Sequence, residues 1–108
     1  MLKGHLDGLL LAALETGPRH GYAVKEALRD NSAGRIDLPT GTIYPALRRL
    51  EQAGLIRGTW DTTATRPRRT YQLTAAGRRA LSGERRSWRD FSATVTALLE
   101  GQPCPSTP

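Results

Sequence analysis

The stretch TGTIYPALRRLEQAG, residues 40–54, decides how this chain is read. Ile43, Leu47 and Leu50 fall at i, i+4 and i+7, one apolar stripe of a helix. Thr40, Thr42, Tyr44, Pro45, Arg48 and Arg49 fall on the outer side. The helix is expected to begin near Thr40 or Gly41 and to stop at Ala53-Gly54. Pro45 constrains that start. Deep inside a helix a proline removes a hydrogen bond and clashes with the preceding turn, at a cost of ~3 kcal/mol or more. In the first turn the missing donor matters little, so the helix must begin only a few residues earlier.

Two helices precede it. From about Gly4 to Thr16, Leu6, Leu9, Leu10, Ala13 and Leu14 form one stripe, and Gly17-Pro18 ends it. From about His20 to Asp30, Tyr22, Ala23, Ala27 and Leu28 are expected inward and Lys25, Glu26 and Arg29 outward, with Asn31-Ser32-Ala33-Gly34 as the closing turn. After Gly54 the pattern changes. Leu55 to Trp60 and Arg68 to Leu73 are short β-type segments joined by a polar loop, and Tyr71 and Leu73 alternate with Thr70 and Gln72 as in a half-buried hairpin. Three helices followed by a hairpin is the order of a winged helix.

The last element is a long helix capped by Thr74 and running to about Leu99. Leu81, Trp88 and Val95 are spaced by seven, and Phe91 and Leu98 follow the latter two by three, an a/d seam of roughly 2.5 heptads. Some 25 residues of helix would be about 37 Å long. So narrow and long a seam has little domain to cover it, which points to packing against a second copy of the chain. The fold class expected is therefore mainly α with a small β-hairpin: a winged helix-turn-helix over residues 1–73, a dimerisation helix over 74–100, and a disordered, proline-rich tail over 101–108.

The totals agree with one small domain. The chain has 108 residues, 38% of them hydrophobic, a size at which a partner subunit helps to complete the burial of apolar surface. Its formal net charge is +6, from 16 basic and 10 acidic residues, and all the basic residues except Lys3 and Lys25 are arginine. Arginine's planar fork suits phosphate and guanine, so the balance leans toward nucleic acid. Cys104 is the sole cysteine, which leaves no disulfide framework and fits a reducing, cytoplasmic setting. No cleavable leader is expected at Leu9 to Leu14, because His5, Asp7, Gly8 and Glu15 interrupt and end the run. No apolar run is long enough to span a bilayer.

A helix-turn-helix places its second helix in the major groove, with its N-terminal residues at the base edges. Here that assigns DNA contact to Thr40, Gly41, Thr42, Tyr44, Pro45, Arg48 and Arg49, with Thr42, Tyr44 and Arg48 nearest. The alternative for Arg48 and Arg49 is a merely solvated helix face. The hairpin carries Arg66, Arg68 and Arg69 around Pro67, with Arg57 on the facing strand, and residues 62–83 hold no acid. Such a wing lies naturally along phosphates or dips into a minor groove, although a charged edge also discourages strand-to-strand aggregation. Arg78, Arg79, Arg85, Arg86 and Arg89 read as the solvated face of the last helix. No metal, cofactor or catalytic role is expected. His5 and His20 lack nearby cysteines or paired carboxylates, and Ser32, Ser82 and Ser87 have no evident His–Asp partners.

The strings HGYAVKEAL (His20 to Leu28), GTIYPALRRLEQAGLI (Gly41 to Ile56) and RPRRTYQLTAAGRRAL (Arg66 to Leu81) resemble the PadR family of transcriptional regulators. The single C-terminal helix is similar to that of the family's smaller subfamily. The resemblance implies a dimeric repressor, joined through its first and last helices, acting on double-stranded DNA at a near-palindromic site. It implies that Gly41 to Glu51 is the recognition helix, that the hairpin is the wing, and that Tyr22 helps to hold backbone phosphate. The dimer residues it suggests are Leu6, Leu10, Leu81, Trp88, Phe91, Val95 and Leu98. Some short members bind flat aromatic molecules between tryptophans of the last helix, and Trp88 with Phe91 occupies a comparable place. Plain dimer core is the simpler use of Trp88; a ligand slot beside so bulky a seam residue is the alternative. Trp60 is expected to be structural.

Overall fold

A computed structural model of the chain describes residues 5–63 and 65–101. In chain order the elements are α1 (Leu6–Ala13), β1 (Arg19–His20), α2 (Gly21–Asn31), α3 (Thr40–Gln52), β2 (Ile56–Asp61), β3 (Arg68–Leu73) and α4 (Ala75–Glu100). The three strands form one antiparallel sheet in the order β1-β3-β2, with Arg19 opposite Tyr71 and Ile56 opposite Leu73. The architecture is the expected one: a winged helix-turn-helix that continues into a long terminal helix. The two-residue strand β1 is the element that periodicity did not reveal. It is too short to carry an alternation and exists only because the chain leaving α1 passes beside β3.

The core lies where the helices meet under the sheet. Leu10, Leu11 and Leu14 come from α1 and its cap, Val24 and Ala27 from α2, and Ile43, Ala46, Leu47 and Leu50 from α3. Ile56, Tyr71 and Leu73 close it from the wing and Leu81 from α4. Two helix faces differ from the expected ones. In α1, Leu11 is buried while Leu6 and Leu9 keep some exposure, because α1 meets α2, α3 and α4 on different sides and so buries more than one stripe. In α2, Val24 rather than Tyr22 is the inward residue; Tyr22 is 47% exposed. The helix α1 also ends at Ala13, three residues short of Thr16. There the Arg19 Nε donates to the Ala13 carbonyl at 2.7 Å, a cation set on the negative end of the helix.

The helix α3 starts at Thr40, with Pro39 as its cap, so Pro45 sits in the second turn and not the first. Having no N–H, Pro45 offers nothing to the Gly41 carbonyl four residues back, and this exposed edge of the helix accepts that loss. The helix ends in a Schellman turn: Leu55 N–H reaches the Leu50 carbonyl and Gly54 N–H the Glu51 carbonyl, both at 3.0 Å, with Gly54 left-handed at φ 79°.

One junction joins α3, the wing and α4. Thr74 caps α4 by accepting from the Gly77 N–H at 3.0 Å, while its hydroxyl donates to the Gly54 carbonyl at 2.7 Å. Its own N–H reaches the Leu55 carbonyl at 3.1 Å. Gly77 packs directly on that carbonyl; a Cβ there would stand 2.0 Å from the Leu55 oxygen. Beyond Trp88, whose ring still meets His5, the helix leaves the body. Trp88 is 51%, Phe91 56% and Leu98 77% exposed, and Val95 is partly exposed. Leu10 and Leu81, expected between subunits, are 0% and 4% exposed within one chain. Gly101 ends α4 in the left-handed conformation, and the rest of the expected tail, 102–108, lies outside the described residues. Among the described residues no helix is long and apolar enough to cross a membrane.

Replacing Gly77 with Ala should destabilise the fold by about 2 kcal/mol, the middle of the range for overpacking. In an open helix the same change would gain up to ~1 kcal/mol, but the obstacle here is a backbone carbonyl that cannot rotate away. A urea midpoint at or above that of the parent chain would show that α4 slides aside freely.

Candidate nucleic-acid interface

The outer side of α3, the first turn of α2 and the wing enclose one open groove of about 1100 Å³, whose walls include Tyr22, Tyr44, Arg48, Trp60 and Arg68. Each wall is placed by local chemistry. His20 caps α2, its Nδ1 accepting from the Ala23 N–H at 3.3 Å, so the first turn carrying Tyr22 is fixed at the groove. The other ring nitrogen of His20 lies 3.1 Å from Arg68 Nη1, which ties this cap to β3. The helices α2 and α3 approach most closely where Gly21 meets Tyr44: a Cβ on Gly21 would fall 2.2 Å from the tyrosine Cε1. The absent side chain therefore gives the Tyr44 ring its seat and holds it at the mouth of the groove.

The candidate residues divide by their partners. Thr40, Gly41, Pro45 and Arg48 are exposed and Thr42 is half-buried. Among the described residues neither Arg48 nor the exposed wing arginines Arg66 and Arg68 have a carboxylate partner. Arg49 turns the other way, toward α1, and pairs with Asp7. Arg69 is also engaged. Its Nη2 lies 2.5 Å from Glu51 Oε2, and this hydrogen bond holds the guanidinium above the ordinary arginine range. Its Cζ stands 5.4 Å from the centre of the Trp60 ring. Trp60 itself is 64% exposed, so it is a surface platform for Arg69 and not a core residue. Below them burial raises the Tyr71 phenol, with Glu51 adding to the effect. Reading by residue type did not pick out Glu51 or His20 as parts of this face; neither signals in its own neighbourhood that it will meet β3.

A second groove, of about 670 Å³, lies at the base of the protruding helix, between α1 and α4, and includes His5, Leu9, Ile36, Leu81 and Trp88. The His5 ring meets Trp88 edge-on at 5.0 Å, and Trp88 lies 6.2 Å from Phe91. The ion pair of Glu15 with Arg85, at 2.7 Å, pins α4 to the end of α1 nearby, and the Arg85 hydrogen bond holds the Glu15 carboxyl below its usual range. Among the described residues no group of three or more His, Cys, Asp or Glu is arranged to hold a metal ion.

A helix-turn-helix whose second helix faces outward beside a basic hairpin defines a winged-helix protein of the DNA-binding class. Comparison with known proteins narrows this. Residues 10–83 match the transcriptional regulator PadR-like family. The chain is 36% identical over 77 residues to a transcriptional regulator of Mycobacterium tuberculosis, covering 71% of this chain and 59% of that one. It is 40% identical over 87 residues to an uncharacterised transposon protein of Streptomyces fradiae, covering 81% of this chain but 24% of the relative. The crystal structure of a PadR family transcriptional regulator from Eggerthella lenta superposes with a TM-score of 0.82 at 35% identity, over 93% of this chain and 86% of that one. The chain belongs to the PadR-like family and is a DNA-binding transcriptional regulator.

Replacing Gly21 with Ala should displace the Tyr44 ring and weaken DNA binding on the order of tenfold, about 1.4 kcal/mol. The thermal midpoint should move less than the affinity, because the obstructing atoms belong to the end of a side chain that can swing outward. Unchanged affinity would show that the seat of Tyr44 does not matter to binding.

Proposed function

We propose that the chain acts as a homodimeric, sequence-specific repressor of its own or neighbouring genes, bound at a near-palindromic operator. The observation that carries this reading is the meeting, in one groove, of Tyr44 and Arg48 of α3 with Arg68 of the wing, neither arginine having a carboxylate partner among the described residues. In this reading α3 enters the major groove with Thr40, Gly41, Thr42, Tyr44 and Pro45 leading and Arg48 one turn behind, reading guanine or holding phosphate. Tyr22 holds phosphate from the start of α2, and Arg49 reaches the flanking backbone by exchanging Asp7 for it. Arg66 and Arg68 follow the backbone or enter the minor groove, with Arg69 beside them.

The second copy covers the exposed seam of Trp88, Phe91, Val95 and Leu98, with Leu6 of α1 at its edge. An apolar row of this kind on a helix that has left its own core favours a partner helix over water. The groove beside Trp88 supports a further element of the reading, release by a small flat aromatic ligand at the dimer interface. Its volume lies within the range usual for small-molecule sites, and Trp88 and Phe91 supply the stacking faces.

Binding to the chain's own upstream DNA and to a scrambled duplex, at two salt concentrations, tests the main reading. Preference for the upstream fragment is expected, and Arg48→Ala should cost about 1–3 kcal/mol and relax selectivity, whereas Arg68→Ala should mainly lower the salt slope by about 1. Equal binding to both duplexes would refute sequence-specific repression. Introducing Asp at both Val95 and Leu98 should give monomers with poor operator binding by sedimentation and titration. A variant that still sediments as a dimer would place the interface elsewhere.

A further inference from the structure

The four wing-region arginines carry the same charge but stand in different surroundings. Arg57, Arg66 and Arg68 are exposed, while Arg69 is half-buried and already bound on two sides. Its Nη2 and Nε face the two Glu51 oxygens at 2.5 and 3.5 Å, and the Trp60 ring lies 5.4 Å from its guanidinium carbon. A third, independent feature surrounds the pair. Gly58 stands on β2 opposite Tyr71, and a Cβ there would fall 2.7 Å from Arg69 Nε and 2.9 Å from each Glu51 oxygen. The backbone of β2 thus comes close enough to close the site without a side chain. Glu51 belongs to α3, Gly58 and Trp60 to β2, and Arg69 to β3, so the contact spans the recognition helix and both strands of the wing.

We propose that Arg69 is a positioning residue and not a phosphate contact: with Glu51 and Trp60 it clamps the wing to α3 and so sets the angle between base reading and backbone contact. The inference rests on the DNA-binding reading above. A carboxylate neutralises the guanidinium, and the fork geometry that arginine alone provides is used up within the protein. The net positive charge offered to DNA on this side then comes from Arg48, Arg66 and Arg68.

Glu51→Gln, Arg69→Lys and Arg69→Ala distinguish the two roles. The clamp predicts that all three lower the preference for operator over scrambled duplex by about tenfold, as expected for residues of one ion-pair network. Affinity for scrambled DNA and its salt slope should be unchanged in Arg69→Lys, which keeps the charge beside Glu51. The variant combining Glu51→Gln and Arg69→Ala should lose no more selectivity than either single change. A phosphate contact predicts the reverse: Arg69→Lys near wild type, Arg69→Ala weaker on both duplexes alike with the slope reduced by about 1, and Glu51→Gln tighter on both. That pattern would overturn the proposal. Hydrogen exchange without DNA provides a separate reading: β2 and β3 amides should exchange faster in Glu51→Gln and Arg69→Lys while α1 amides do not change. Unchanged exchange in the wing would dispose of the clamp even if operator selectivity proved real. If the unmodified protein showed no duplex preference, the DNA reading would fall, and exchange alone would decide whether the clamp holds the wing.

Discussion

Four segments converge on the carbonyl of Leu55. It lies at the Schellman turn that ends α3, accepts the N–H of Thr74, and is packed by Gly77 of the terminal helix. The Thr74 hydroxyl spans the same point, donating to Gly54 and accepting from Gly77. The end of α3, the start of β2, the end of β3 and the start of α4 are therefore fixed against one another within a few atoms. Every larger feature inherits its position from this contact: the tilt of α3, the root of the wing, and the direction in which the long helix leaves the core. A side chain at Gly77 would intrude on backbone, which makes this glycine a constraint of a different kind from Gly21, where only the far end of a tyrosine ring stands in the way.

The chain's positive charge is not evenly available. Arg19 is committed to the end of α1, Arg49 to Asp7, Arg69 to Glu51 and Arg85 to Glu15. What remains on α3 and the wing without a carboxylate partner, among the described residues, is a smaller set: Arg48, Arg57, Arg66 and Arg68. The net charge of +6 thus describes the long-range field of the molecule, while the partners of individual guanidiniums describe where an anion can dock. The two ends of the molecule also differ in chemistry. Both grooves hold arginines, but the one by the wing sets them beside Tyr22, Tyr44 and Tyr71, whereas the one below α4 sets them beside Leu9, Ile36, Leu81 and Trp88.

Much of the fold was legible because its signals are local. Thr74 as a cap, Gly54 as a stop, the i, i+4, i+7 row of α3 and the alternation of Tyr71 with Leu73 each depend on a handful of neighbouring residues. The misplaced details share a different cause. The faces of α1 and α2 were shifted because several elements pack on them at once, so Leu11 and Val24 are buried and Tyr22 is free. The strand β1 needed β3 to exist. Trp60 shares the sheet face of Ile56 and Gly58, opposite Arg69, and is exposed because it stands near the tip of the hairpin, beyond the core.

The sequence by itself determined the order of the helices and the hairpin, the Thr74 cap and the Gly54 stop, the family and the basic character of the α3–wing face, since these follow from spacing and residue type within short windows. Only the tertiary structure decided which arginines are paired with carboxylates and which leucines the core buries. The reason is separation along the chain. The contacts that engage the arginines join residues 18 apart at Glu51–Arg69, 42 at Asp7–Arg49, 48 at His20–Arg68 and 70 at Glu15–Arg85, and no local pattern carries information across such distances.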